Sequence, residues 1–314
     1  MGSLETTRPQ LGPGTRPAAW LEEIRACGVS LLALKRAALQ TFSLPAVRSF
    51  FSDLDDRDRL LSRLGWALVC VVPMFAVLAY FVPGAVQTVN PWIKPIKFSI
   101  SFATYVWTAS LFFRFLKLPS WQATLARRAT AVSVIVEMFL LGVQAWRYTQ
   151  PYPSQSFSDI AISQTVTAMA FVQTVVMLWI LALCCGDRAR TKLADLTLVA
   201  AIRNSIVIFL VGNAVGGYML ARGSHTVGAS DGGQGLPFVN WSVIAGDLRI
   251  AHFIAVHAIQ IVPLFAYLLL QMAPIPALRR RRLAVFGMSA GVMLVVLATF
   301  IQAALGHPLL SVGR

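Results

Sequence analysis

An all-helical integral membrane bundle is the fold class this sequence predicts, and three observations predict it. Hydrophobic residues make up 57% of the 314 residues and charged ones only 13%, a balance too apolar for a soluble domain of this size to keep its surface wet. Seven stretches approach the roughly 20 apolar residues that a helix needs to cross a hydrocarbon core about 30 Å thick. The basic residues, finally, are unequally divided between alternate connections, as in multi-pass proteins.

Residues 1–63 read as an N-terminal segment without a cleavable signal, because the short apolar run ACGVSLLAL leads into Lys35 and Arg36 rather than a small-residue cleavage site. Within it, WLEEIRACGVSLLALKRAALQTF is compatible with an amphipathic helix on the membrane surface, and the mixed charges of FFSDLDDRDRLLSR suit a solvated helix. The spans lie near 64–82, 98–116, 129–146, 160–184, 195–220, 249–272 and 283–305, so 64–305 is the transmembrane domain and 306–314 a tail. Pro73 and Pro263 are candidate kinks in the first and sixth spans. Gly212 with Gly216, and Gly287 with Gly291, place small residues four apart, a spacing that lets neighbouring helices approach closely. Cys27, Cys70, Cys184 and Cys185 contain no C-x-x-C pair, so neither a disulfide framework nor a zinc knuckle is expected.

The chain carries 27 Lys and Arg against 13 Asp and Glu. Nine of the cations fall in residues 1–63, four in 114–128, three in 185–194 and four in 273–282. The alternate connections hold six, Lys94, Lys97, Arg147, Arg222, Arg249 and Arg314, and Arg203 lies within a span. The N-terminus is therefore expected in the cytoplasm and the C-terminus outside. The net charge of +14 is explained without nucleic acid as a partner.

The polar residues that invite a chemical reading gather toward the outer side. The sixth span opens with GDLRIAHFIAVHAIQ; with Asp247 as its cap, His252 lies roughly 7 to 8 Å and His257 about 15 Å below it. Five residues correspond to about 140° of rotation, so the two histidines do not share a face. Arg249 neighbours His252, and Gln260 neighbours His257, each at i+3. The preceding loop holds Gly223, Gly228, Gly232, Gly233 and Gly235 with His225 and Asp231. It lacks the order of a phosphate-cradling loop and reads as a re-entrant or capping loop. The outward N-terminus of the sixth helix offers a place to an anion. Elsewhere, Glu137 and Gln144 stand in the third span and Arg203 and Asn213 in the fifth. Glu137 and Arg203 each lie eight residues from the expected cytoplasmic end of their spans and are expected to pair. Lys94, Lys97 and Arg147 are expected to snorkel to headgroups, with Trp92 and Trp146 as interface anchors.

With NPWIKPIKFS, QAWR, GSHTVG, DGGQGLPF and GDLRIAHFIAVHAIQ in view, the chain resembles a family of uncharacterised bacterial polytopic membrane proteins that share NPWxKPxKF and GDLRxAHFxxxHxxQ motifs. The likeness spans roughly residues 64–305 and implies a location in the bacterial inner (cytoplasmic) membrane. It implies no reaction. Many relatives continue QAxR into a Ser-His-Phe-Asn-like turn, whereas QAWR is followed here by Tyr148, Thr149 and Gln150.

Three functions stay open. The first is binding or transport of a small ligand through an outward polar cavity, with Glu137, Gln144, Arg203, Asn213, His225, Asp231, Asp247, Arg249, His252, His257 and Gln260 as candidate contacts. The second is an accessory or structural role beside another membrane protein or a second copy of the chain, with the lipid bilayer as the common partner. The third is a membrane enzyme with a metal or haem on His225, His252 and His257, a reading weakened by the lack of any H-E-x-x-H spacing. The topology has its own test: reporters fused after residues 120, 190 or 280 should be cytoplasmic and those after 155, 230 or 312 outside. A reproducible inversion within the series would remove at least one span.

Overall fold

The computed structural model describes residues 31–82, 89–116, 118–147, 156–186, 196–272 and 277–310. The start of the expected amphipathic stretch, Cys27, Tyr148, Thr149, Gln150 and the cations of 187–195 lie outside the described residues. The protein is an all-helical integral membrane bundle. Among the described residues it has ten helices and one two-stranded ribbon.

Two short helices, α1 (Leu31–Thr41) and α2 (Leu44–Arg57), precede the bundle. Six helices are long and apolar enough to cross a membrane: α3 (Arg59–Phe81), α4 (Ile93–Arg114), α5 (Ser120–Trp146), α6 (Phe157–Cys185), α7 (Leu196–Arg222) and α10 (Leu278–Ala304). The bent pair α8 (Leu248–Val256) and α9 (Ala258–Leu270) passes the same test together and, read as one span, supplies the seventh crossing. Between α7 and α8 runs a loop whose strands β1 (Thr226–Val227) and β2 (Gly246–Asp247) pair antiparallel. We call the side carrying α1 and α2 the basic face and the side carrying residues 223–247 the loop face.

Polar caps fix where helices begin. Asp58 closes α2 and also starts α3, its carboxylate accepting the Leu61 N–H at 3.2 Å. Ser156 does the same for α6 and Asp247 for α8. Large apolar side chains such as Phe139, Phe171 and Leu294 are exposed along the spans, the arrangement hydrocarbon favours. α7 is central, packing against α6, α8, α9 and α10, while α4 packs against α3, α5 and α9.

Several expectations are corrected. The helix that carries the first span begins at Arg59, and FFSDLDDRDR is not a freely solvated helix. Asp53 bonds Arg57 at 2.6 Å and Arg114 at 2.8 Å, and buried Asp58 bonds Arg127 at 2.7 Å, clasping α2 onto α4 and α5. Pro73 lies inside an unbroken α3, and the sixth span bends by 42° at His257, six residues before Pro263. Trp92 is no interface anchor but is 3% exposed, stacked on Phe75 at 5.9 Å. Arg147 does not snorkel freely; it pairs with Asp159 at 3.1 Å.

The two glycine pairs have opposite outcomes. A methyl group on Gly212 would lie 2.8 Å from the Ala255 Cβ, and one on Gly216 would lie 3.0 Å from the His252 ring, whereas Gly287 and Gly291 face open space. Gly246 of β2 lies so close to α10 that a Cβ would overlap the Ala303 carbonyl. Gly212→Ala should therefore cost about 1 to 3 kcal/mol. Gly246→Ala should cost more, because backbone cannot move aside as a side chain can. Gly287→Ala should be neutral or stabilising by up to ~1 kcal/mol. Melting of the detergent-purified variants checks the order, and equal losses at positions 212 and 287 would contradict it.

Candidate functional site

The loop face is organised by one buried carboxylate. Asp247 is 0% exposed. It accepts the Ser242 N–H at 2.9 Å, the Arg249 N–H at 3.0 Å, and the Arg249 side chain through Nε at 2.9 Å and Nη2 at 2.6 Å. The anion at the start of α8 is thus the protein's own, and the Arg–carboxylate fork adds direction to charge. Arg249 also donates to the carbonyl of Asn240, tying in the tip of a hairpin in which Leu236 N–H bonds Trp241 O at 2.8 Å. Asn240 and Phe238 adopt left-handed backbone there, with φ of 55° and 65°. The loop is a cap.

A second carboxylate shapes the strand start. Asp231 accepts from Ser224 Oγ at 2.9 Å, Thr226 N–H at 2.9 Å and His225 N–H at 3.3 Å. His225 Nδ1 lies 3.3 Å from Asp231 and 3.9 Å from Asp247. Burial, helped by the Arg249 charge, pushes the His225 imidazole below its ordinary value against the pull of the two aspartates. For Asp231, burial opposes ionisation, but hydrogen bonds from Thr226 and Ser224 prevail and hold the carboxyl below its usual range.

His252 and His257 point apart, as their spacing requires. His252 Nδ1 lies 2.7 Å from the Gly212 carbonyl, which only accepts, so Nδ1 carries the proton. Its ring rests on Gly216, while Gly212 admits Ala255 and Val256 of the same helix. His257 stands at the bend between α8 and α9, its ring 4.4 Å from Phe253, which in turn meets Trp241 of the loop at 5.7 Å.

Deeper groups continue from the loop toward mid-membrane. Lys97 donates to Val239 O at 3.4 Å and feels the charges of Asp247 and Arg249. One turn earlier, Lys94 feels both Lys97 and Glu137. Glu137 is buried, accepts the Gln173 amide at 2.6 Å, and is within electrostatic reach of Tyr105, whose buried hydroxyl has no partner. Asn213 bonds Thr174 at 2.8 Å, beside Gln173 on α6. Gln144 is buried on α5, and Gln260 stands beside the His257 ring at the bend.

The expected Glu137–Arg203 pair is not formed. α5 and α7 are not packed side by side; each packs on α6, and it is Gln173 of α6 that meets Glu137. Arg203 is exposed and feels Cys184, at the far end of α6. Nor are His225, His252 and His257 brought to one centre: among the described residues no group of three His, Cys, Asp or Glu could hold a metal ion. A cavity lined by Asp53, Asp58, Arg114 and Arg127 lies on the opposite, basic face.

Lys94, Lys97, Tyr105 and Gln173 were not among the candidate contacts. The first two carried a signal in NPWIKPIKFS, where i and i+3 share a helix face; the neutral amide and phenol carried none. No protein-family model, curated protein or solved structure matches this chain.

Both His225 and Asp231 favour their less protonated forms in the folded loop. The His225 contribution is complete above its ordinary value near pH 6.5 and is lost as pH falls through the lowered folded value; the Asp231 contribution persists to the ordinary carboxylate range near pH 4 and is lost below it. Melting temperature should thus fall on acidification from about pH 6.5. His225→Gln should shrink that first loss and leave the second, and an unchanged profile would contradict the assignment.

Proposed function

We propose that this integral membrane protein binds or moves a small polar ligand through the loop-face half of the membrane. The observation that carries the reading is the series Asp247, Arg249, Lys97, Lys94, Glu137 and Gln173, which leads polar and charged groups from the loop into the hydrocarbon. An ionisable group at such depth costs about 2.5 to 3.5 kcal/mol on insertion scales and is seldom kept without a use. The bend at His257 supports the same reading, since broken helices free backbone groups beside transport sites. The charge count and the family resemblance support a cytoplasmic N-terminus and a place in a bacterial inner membrane.

An accessory role is favoured by a different observation: Asp247, Asp231 and His252 are satisfied within the chain and hold helices and loop together. A metal ion held by all three histidines has no converging donor set among the described residues.

The test is thermal stabilisation of the detergent-purified protein across a panel of small carboxylates, amines, amino acids and sugars. At least one class should stabilise it, and Glu137→Gln or Lys94→Met should reduce the effect about tenfold or more while the free variants still fold. No stabilising compound, together with stable co-purification of one membrane protein, would replace this reading with the accessory one.

A further inference from the structure

At the basic face, α2 closes over the ends of α4 and α5 and leaves a cavity of about 250 Å³. Its polar wall holds Arg57, Arg114 and Arg127 against Asp53 and Asp58, three positive charges to two negative. Its other wall is apolar, with Phe50, Leu54 and Phe113. None of these residues belongs to the loop-face series.

The two aspartates fix the arginines without exhausting them. Arg57 uses Nε on Asp53, Arg114 uses Nη1 on Asp53, and Arg127 uses Nε on Asp58. A guanidinium has five N–H donors, so each keeps others for a further acceptor. Asp58 is buried and also caps α3, which makes the Arg127 position a fixed one. Arg57 is the most open, its side chain 51% exposed.

Position selects the ligand. Arg114 is the last residue of α4 and Arg127 lies in the third turn of α5, so the cavity sits where spans leave the hydrocarbon. Phe51, Trp66 and Trp107 cluster nearby with centroids 4.7 to 5.3 Å apart, and Trp66 is exposed, as aromatic rings at headgroup depth are. Phe50, 41% exposed, opens the apolar wall outward. A free phosphate would have no use for that wall; a lipid has both a charged phosphate and apolar acyl chains to present.

We infer that this cavity binds the phosphate head of an anionic phospholipid, with the phosphate on Arg57, Arg114 and Arg127 and the first methylenes of an acyl chain against Phe50 and Leu54. The bound lipid joins α2 to the bundle from outside, as Asp53 and Asp58 do from within. The site is independent of the ligand reading at the loop face.

The test uses the full chain, purified in detergent, stripped of lipid and titrated separately with phosphatidylglycerol, phosphatidylcholine and inorganic phosphate. Native mass spectrometry counts bound lipid and melting reads stabilisation. Phosphatidylglycerol should be retained and raise the melting temperature; the other two should not. Arg57→Gln should weaken phosphatidylglycerol binding about tenfold, the loss of one charge-assisted hydrogen bond, and Arg57→Lys should keep most of it. Asp53→Asn, which removes a competing carboxylate, should strengthen binding even though it loosens the clasp in the lipid-free protein. Equal binding of the two lipids, equal stabilisation by inorganic phosphate, or weakening by Asp53→Asn would each overturn the assignment, and melting of the lipid-free variants shows that they are folded.

Discussion

A carboxylate with no access to water must find all its donors within the chain, and Asp247 is where this fold meets that demand. Its four N–H donors come from the backbone of Ser242 and from the backbone and side chain of Arg249. Removing one partner of such a group leaves a buried charge uncompensated, at a cost of about 3 to 5 kcal/mol. With Asp247 in place the start of α8 is capped, β2 can lie against β1, and Gly246 can reach the Ala303 carbonyl of α10. Arg249, once oriented, holds the hairpin tip at Asn240 and brings its charge within reach of Lys97. Loop, sixth span and last span are joined through one side chain.

The membrane imposes the same accounting of donors below the loop, but it is met less completely. His252 finds the Gly212 carbonyl because Gly216 leaves room for its ring and Gly212 lets α8 approach closely at Ala255. Glu137 finds the Gln173 amide and the field of Lys94, yet among the described residues no ion pair reaches it, and the Tyr105 hydroxyl beside it has no partner. Packing needs would favour a closed network. An incomplete one between charged groups is what a site for a small polar ligand requires, and this contrast separates the cap from the series beneath it.

Much of this was legible in the sequence. Span length and hydropathy gave the bundle, and Asp247 before an apolar-periodic run gave the helix cap. The polar ends of helices were harder. Hydropathy starts the third span at residue 129, after Arg127 and Arg128, whereas the helix that carries it runs on to Ser120; matched depth on two spans did not reveal that α6 would pack between them, on α5 and on α7 alike. The glycine pairs had identical spacing and different fates, since only the facing helix decides whether a small residue is needed, and Gly212 faces Ala255 while Gly287 faces none within 4 Å. Lys94 and Lys97 looked like headgroup anchors because nothing local revealed that residues 142 positions away would fold over Lys97.

The central claim is that the groups between the cap and mid-membrane form a site and not merely a packing device. The most direct measurement is a high-resolution density map of the protein extracted with its native lipids and small molecules. The claim predicts non-protein density, a ligand or ordered water, against Lys94, Glu137 and the Tyr105 hydroxyl beneath the loop. It is contradicted by a map in which these side chains close on one another with nothing between them, Lys94 directly on the Glu137 carboxylate.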